Sequence, residues 1–258
     1  MEFTTLMSGS HGNCIYICGG KTKILIDVGC SCRYLEKALA EIAVNLSEID
    51  AILVSHEHGD HVKGVPVCAG RYDIPVFASE LTWRELPFYD DFMPSKRHKF
   101  TYDMAIGDLE IEFFKTYHDA VQPVGMVVHH QNHRVAVATD TGKVTQSMVD
   151  LMQGCDGIVL ESNHCEIALA EGPYPHFLKK RIAGSQGHLS NRQSAQALSR
   201  IITDQTQAVM LAHLSETNNT SQIAMSEIHN VFSQRDFSYT CAVSVAKNRA
   251  ASPLVKLV

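Results

Sequence analysis

The stretch Ala51-Ile52-Leu53-Val54-Ser55-His56-Glu57-His58-Gly59-Asp60-His61 decides how this chain is read. Its first four residues form an apolar run that reads as a buried strand ending in Ser55. The next six carry four side chains able to bind a metal: His56, His58, Asp60 and His61. Ligands at the carboxyl end of a strand sit on a short, rigid connection, where a metal site can be held open. His56 and His58 can share one ion through imidazole nitrogens while Asp60 and His61 turn toward a second. This cysteine-free His/Asp set suits Zn²⁺ or Mn²⁺, with Fe²⁺ also accepted, better than an iron–sulfur cluster or a structural zinc knot. The competing reading, a solvated loop that happens to be His-rich, fits poorly with four donors in six residues.

One loop cannot supply every ligand of two ions, so other strand ends must contribute. His118 follows Thr116-Tyr117, Asp140 follows Val137-Ala138-Thr139, and His213 follows Val209-Met210-Leu211-Ala212. Each is a polar residue directly after an apolar strand, the local context of His56. Taken singly, any of them could cap a neighbouring loop. Together with the first motif they make a set, with His56, His58 and His118 on one metal, Asp60, His61 and His213 on the other, and Asp140 bridging. Two ions about 3.5–4 Å apart lower the pKa of a shared water and clamp an anionic substrate oxygen. Asp27 is expected behind the ligands, holding an imidazole N–H or positioning the first loop. Glu57 should point away from the metals. His129, His130 and His133 surround a turn and are expected to be exposed, and His98, His176 and His229 are surface or packing residues. His11 and His164 receive no role.

The chain has 258 residues, 45% of them apolar and 19% charged, the balance of an ordinary soluble globular protein. No apolar run approaches the roughly 20 residues that span a bilayer. The start, Met1-Glu2-Phe3-Thr4-Thr5, lacks the basic and apolar regions of a signal peptide, so the expectation is cytoplasmic, with no membrane partner. The eight cysteines show no C-x₂-C pairing and read as buried free thiols. A net charge of −6 argues against a strongly basic nucleic-acid binder, although two divalent ions would add four positive charges where a phosphate would sit. Basic clusters stand at Lys96-Arg97-His98-Lys99 and Lys179-Lys180-Arg181.

The patterning predicts strands at 2–7, 14–18, 23–28, 51–54, 75–78, 109–117, 124–130, 134–139, 157–160 and 208–212. Helices are expected from Ser31, just after the ligand loop, near 82–86, and over 144–152 and 190–202, with a last long helix beyond Asn219. Ser190 with Gln193, and Asn219 with Gln222, read as capping boxes. A single two-sheet α/β domain over 1–258 accommodates these elements. Oligomeric state is not readable.

H-x-H-x-D-H at 56–61, followed by His118, Asp140 and His213, resembles the metallo-β-lactamase superfamily over nearly the whole chain. The resemblance implies an αββα four-layer sandwich with a dinuclear metal site at one edge of the sheets. Ser8-Gly9-Ser10-His11-Gly12-Asn13-Cys14, Tyr117-His118-Asp119-Ala120, Glu161-Ser162-Asn163-His164, Gly187-His188-Leu189-Ser190-Asn191 and His213-Leu214-Ser215-Glu216-Thr217-Asn218-Asn219 resemble the bacterial YycJ (WalJ/VicX) group. That likeness implies 5′→3′ exonuclease action on double-stranded DNA, with DNA favoured over RNA and a link to DNA repair. The chain is also similar to RNase Z enzymes, in which a Glu and a His form a proton-donating pair beside the metals. Glu161 and His188 occupy similar places, whereas the arm that grips a tRNA is absent. The implied mechanism uses a metal-bridging hydroxide as nucleophile and His188, oriented by Glu161, as proton donor. Asp60 counts as both ligand and catalytic residue, and Ser10, Asn13 and Asn163 are expected phosphate contacts through side chains or backbone N–H groups. The alternative is a small-molecule hydrolase acting on a thioester, lactone or cyclic phosphodiester at the same metals.

Overall fold

The computed structural model describes residues 1–100, 103–235 and 237–258. Their apolar runs pair into two seven-stranded sheets. In the first, β1 (Glu2–Met7), β2 (Cys14–Gly19) and β3 (Thr22–Ile26) are antiparallel, and β4 (Ala51–Leu53), β5 (Val76–Ala78) and β6 (Arg97–Lys99) continue parallel to β3. In the second, β7 (Asp103–Ile106), β8 (Leu109–Lys115), β9 (Val124–His130) and β10 (His133–Ala138) are antiparallel, and β11 (Gly157–Glu161), β12 (Ala208–Ala212) and β13 (Ala242–Val245) continue parallel to β10. The terminal strand β14 (Val255–Lys256) returns to pair with β1.

Alternation along these strands builds the layers. Ile24 and Ile26 of β3, Val135 and Val137 of β10, and Met210 of β12 share one core between the sheets. The neighbouring residues point outward to helices. Leu25 and Ile52 pack with Leu35 and Leu39 of α1 (Cys32–Glu41) and with Val65 and Cys68, which lie beyond the one-turn α2 (Gly59–Val62) on α3 (Val65–Tyr72). On the other side, Ala136, Ile158 and Leu211 meet Met148 and Met152, and also Leu198 and Ile228. These belong to α5 (Gln146–Met152), α8 (Asn191–Ile201) and α9 (Ser221–Gln234), α4 being Glu80–Glu85. Strands buried on both faces read as continuous apolar runs. The result is the four-layer αββα arrangement.

Local chemistry fixes most helix starts. Side chains of Ser31, Ser79, Thr145 and Ser190 accept from backbone N–H groups in the first turns of α1, α4, α5 and α8. The Ser190/Gln193 capping box is formed. The expected box at Asn219 is not. Thr220 caps α9 instead, and Asn219 turns inward to donate to the Ser162 and Asn163 carbonyls. The cluster His129, His130 and His133 is half-buried rather than exposed, because His133 lies 3.3 Å from Asp156 and His129 3.7 Å from Glu112. Strands β6, β7, β13 and β14, and helices α6 (Glu166–Glu171) and α7 (His176–Ile182), were not legible as elements. All eight cysteines are free. Among the described residues, no helix is long and apolar enough to cross a membrane.

The loop before β2, the chain after β3 and the loop after β4 interlock. Gly29 donates to the Asn13 carbonyl, Asn13 donates to the Asp60 carbonyl, and Val28 donates to the His61 carbonyl, each at 2.8 Å. A methyl group on Gly29 would stand 1.6 Å from the Asp60 carbonyl oxygen. Gly29→Ala should therefore cost about 3 kcal/mol, lowering Tm by roughly 6–12 °C. Gly70, exposed on α3 with nothing within 4 Å of an added Cβ, is the control. Gly70→Ala should raise stability by about 0.5–1 kcal/mol in the same melts.

Candidate metal centre

Three of the strand ends at the site leave the sheet through the left-handed region, with φ of 61° at Asp27, 55° at Asp140 and 57° at His213. For residues with a Cβ this conformation is costly and persists only where the surroundings impose it. Here they do. The Asp27 carboxylate accepts from Ser55 N and Ser55 Oγ, both at 2.7 Å, and His213 N donates to Ser8 Oγ at 2.8 Å. The turn after each strand thus throws its side chain toward one shared edge of the two sheets.

The residues expected as ligands meet there. His56, His58 and His118 form one group whose donor atoms converge, Asp60, His61 and His213 another, and Asp140 lies with His56 and His61 and also with His213. His118 Nε2 is 3.2 Å from His58 Nδ1, and its Nδ1 donates to the Gly187 carbonyl at 3.0 Å. Asp60 Oδ2 lies 3.6 Å from both His61 Nε2 and His213 Nε2. Asp140 Oδ2 is 3.1 Å from His61 Nε2, and Asp140 Oδ1 is 3.5 Å from His213 Nε2. His56 Nε2, Asp140 Oδ2 and His213 Nε2 are buried without a hydrogen-bond partner. Buried orphan donors and acceptors are costly, and a cluster of them facing one point suits a metal ion. The His/Asp clusters are thus fit to hold metal.

Electrostatics follow from this crowding. Burial alone would lower the His61 pKa, but Asp140, Asp27 and Asp60 outweigh it and hold it well above the usual imidazole value. Burial is likewise overcome at His213, which Asp140, Asp60 and Glu161 push up to about 10. His56 is driven well below its ordinary value by burial and then by His61. Asp140 resists its burial because His213 and His61 keep it charged.

Residues around the cluster hold it in place. Asp27 Oδ2 is 2.7 Å from His61 Nδ1, the position expected for it. Glu57 turns away from the cluster, and its carboxylate accepts from Val121 N at 2.7 Å, bracing the loop after His118. His188 Nδ1 lies 2.6 Å from Glu161 Oε1, and the same oxygen lies 3.0 Å from His213 Nδ1. This second contact was not expected. Glu161 is fully buried, its other oxygen accepts from Thr141 N at 2.8 Å, and His188 and His213 overcome its burial to draw its pKa down to about 2.

The three expected phosphate contacts diverge. Ser10 is exposed and lines the cavity over the cluster. Asn13 is buried, accepting from Gly9 N and donating to Asp60 Oδ2, with its Nδ2 also 3.0 Å from His61 Nε2. Asn163 is buried too, its amide donating to the His213 carbonyl at 2.9 Å. Both amides brace ligands instead of facing the cavity. His11 is exposed, 3.4 Å from Glu216, and His164 is buried with its pKa lowered to about 4 by burial. The cavity holds about 280 Å³. Besides the cluster it is walled by Asp119, Tyr174, Leu178, Arg181 and Ile182, residues that the strand-end rule could not reach.

A family model described as a β-lactamase superfamily domain matches residues 22–214. The exodeoxyribonuclease YycJ of Bacillus anthracis is 36% identical over 241 residues, covering 92% of this chain and 91% of that protein. The exodeoxyribonuclease WalJ of Streptococcus pneumoniae serotype 2 is 35% identical over 240 residues, covering 91% and 89%. Among solved structures, the metallo-β-lactamase fold protein YhfI from Bacillus subtilis superposes with a TM-score of 0.72 at 18% identity, over 98% of this chain and 99% of that one. The short form of human tRNase Z gives a TM-score of 0.63 at 15% identity over 100% of both chains. These structural likenesses speak for the fold alone. With a family match across most of its length and close relatives along nine-tenths of it, the chain belongs to the β-lactamase superfamily.

Proposed function

We propose that this protein is a metal-dependent phosphodiester hydrolase that acts as a nuclease, removing nucleotides from the 5′ end of double-stranded DNA, and that residues 1–258 work as one metallo-β-lactamase domain. Relatives at 36% and 35% identity are exodeoxyribonucleases, which supports DNA over RNA as substrate. The observation that carries the reading is the pairing of His188 with Glu161 at 2.6 Å on the wall of the cavity. A phosphodiester releases an alkoxide that needs a proton, and a histidine beside the reacting phosphate can supply it.

His56, His58 and His118 would hold one Zn²⁺ or Mn²⁺ ion, Asp60, His61 and His213 a second, and Asp140 would face both. Fe²⁺ suits the same donors. When bound, two such ions supply a water of lowered pKa as nucleophile and stabilise charge on the phosphate oxygens. The protein's own residues do the rest. Glu161 fixes the His188 ring and, although burial works against it, raises its pKa together with Asp140, which favours the proton-bearing imidazole. Because Glu161 also contacts His213, it ties the proton donor to the ligand cluster. Ser10, on the cavity rim, is the remaining candidate for a direct phosphate contact, while Asn13 and Asn163 keep Asp60, His61 and His213 aligned.

His188→Ala should lower kcat by roughly 10²–10⁴-fold with metal content unchanged. Asp140→Ala should lose metal and turnover together. Metal analysis alongside rate measurement separates the two, and a fully active His188→Ala protein would remove the proton-donor role. The activity itself is tested with end-labelled duplex DNA and Mn²⁺- or Zn²⁺-loaded protein, with Asp140→Ala as control. Stepwise loss from the 5′ end is expected. Intact DNA and RNA with either metal would overturn the nuclease reading.

A further inference from the structure

Helix α7 stands beside the cavity with an unusual face. Leu178, Arg181 and Ile182 line the cavity wall. Phe177, Lys180 and Arg181, at i, i+3 and i+4, share a neighbouring face of the helix. Phe177 is 73% exposed, the most exposed aromatic side chain among the described residues, and the Arg181 side chain is 60% exposed. One aromatic ring and two cations therefore form a strip running outward from the mouth of the site.

Other cations near the site are committed elsewhere. Lys63 donates to the His11 carbonyl, Arg249 is bidentate on Glu216, and Lys143 sits 4.1 Å from the centre of the Tyr117 ring. The basic cluster at 96–99 is also engaged, Lys96 with Asp73, Lys99 with Glu80, and Arg97 over Tyr89. Lys180 is exposed and makes no ion pair among the described residues. Arg181 is held 2.5 Å from Asp119, itself on the cavity wall. An exposed pair of this kind is worth little in water, so a phosphate, which offers a guanidinium bidentate contacts, can take Asp119's place.

We infer that α7 is a nucleic-acid grip, in which Arg181 leaves Asp119 for the phosphate adjoining the one cleaved, Lys180 meets the next phosphate outward, and Phe177 stacks on a base. The inference rests on the nuclease reading and names how its substrate is held. Alternation of cations and an aromatic face is the means by which single strands are bound without sequence preference, here a strand end parted from its duplex. The anchoring of the helix also suits a fixed grip. His188 N donates to the Ile182 carbonyl at 2.8 Å, and Tyr174, just before the helix, donates to Thr217 at 3.1 Å.

The test compares Phe177→Ala and Lys180→Ala with the unmodified, metal-loaded protein. One probe is a fluorescent DNA duplex with cleavage-resistant phosphorothioate linkages, read by anisotropy at several salt concentrations. The other is the ratio of kcat/KM on a 5′-phosphorylated duplex to that on bis(p-nitrophenyl) phosphate, which has no base or second phosphate to reach α7. Each variant should weaken DNA binding about tenfold and lower the ratio about tenfold. Lys180→Ala should also reduce the slope of log Kd against log salt by about one. Unchanged Kd and ratio, or equal losses on both substrates, would overturn the inference. The nuclease reading fails separately if unmodified protein cleaves no DNA, and the Kd comparison then still decides the grip.

Discussion

Asp140 is the constraint around which the molecule is organised. It is 2% exposed, and its carboxylate lies 3.1 Å from His61, 3.8 Å from His118, 3.6 Å from His188 and 3.5 Å from His213. A buried carboxylate is tolerable only when polar or charged partners surround it closely. Those imidazoles come from four separate places in the chain. Each must be aimed by its own support: Asp27 for His61, the Gly187 carbonyl for His118, Glu161 for His188 and His213. The supports are buried in turn, and so the demand for charge compensation propagates outward from one side chain.

Sheet topology explains why these supports fall where they do. Each sheet changes from antiparallel to parallel pairing at a central strand, β3 in one and β10 in the other. Parallel strands present all their carboxyl ends on one side, and sites gather in the crevice beyond such ends. Asp27 follows β3 and Asp140 follows β10, both with positive φ. The two aspartates have related surroundings. Asp27 accepts from Ser55 beyond the adjacent β4, and Thr141, next to Asp140, donates to Glu161 at the end of the adjacent β11. The two halves nevertheless diverge in use, since Asp27 supports an imidazole while Asp140 sits among the converging donors.

Much of this was legible from sequence because strand-end chemistry is local. An apolar run ending in His or Asp predicts both the strand and the direction of the side chain after it, and the residues that rule singled out, His56, His118, Asp140 and His213, converge in the structure. It failed where position depends on a partner distant in the chain. Asn13 and Asn163 were expected at the substrate through side chains or backbone N–H groups, yet the fold brings each side chain against another loop, 47 residues away for Asn13 and Asp60 and 50 for Asn163 and His213. Helix α7 escaped for a different reason. With seven residues, four of them exposed and none buried, it has no buried stripe to show a helical period. Its only signal was the run Lys179-Lys180-Arg181, which reads equally well as solvated surface.

The interlock around Gly29 bears on how the loop 56–61 is ordered. The chain carrying His56 to His61 is tied down by Asn13 and Val28 through main-chain bonds of 2.8 Å and by Asp27 through a side-chain bond. A small zinc domain whose ligands are loose until metal arrives selects its ion while folding. Here main-chain bonds between distant loops order the donors. Fixing the backbone of one residue costs about 1–2 kcal/mol, and these bonds offset that cost for the loop from within the fold itself.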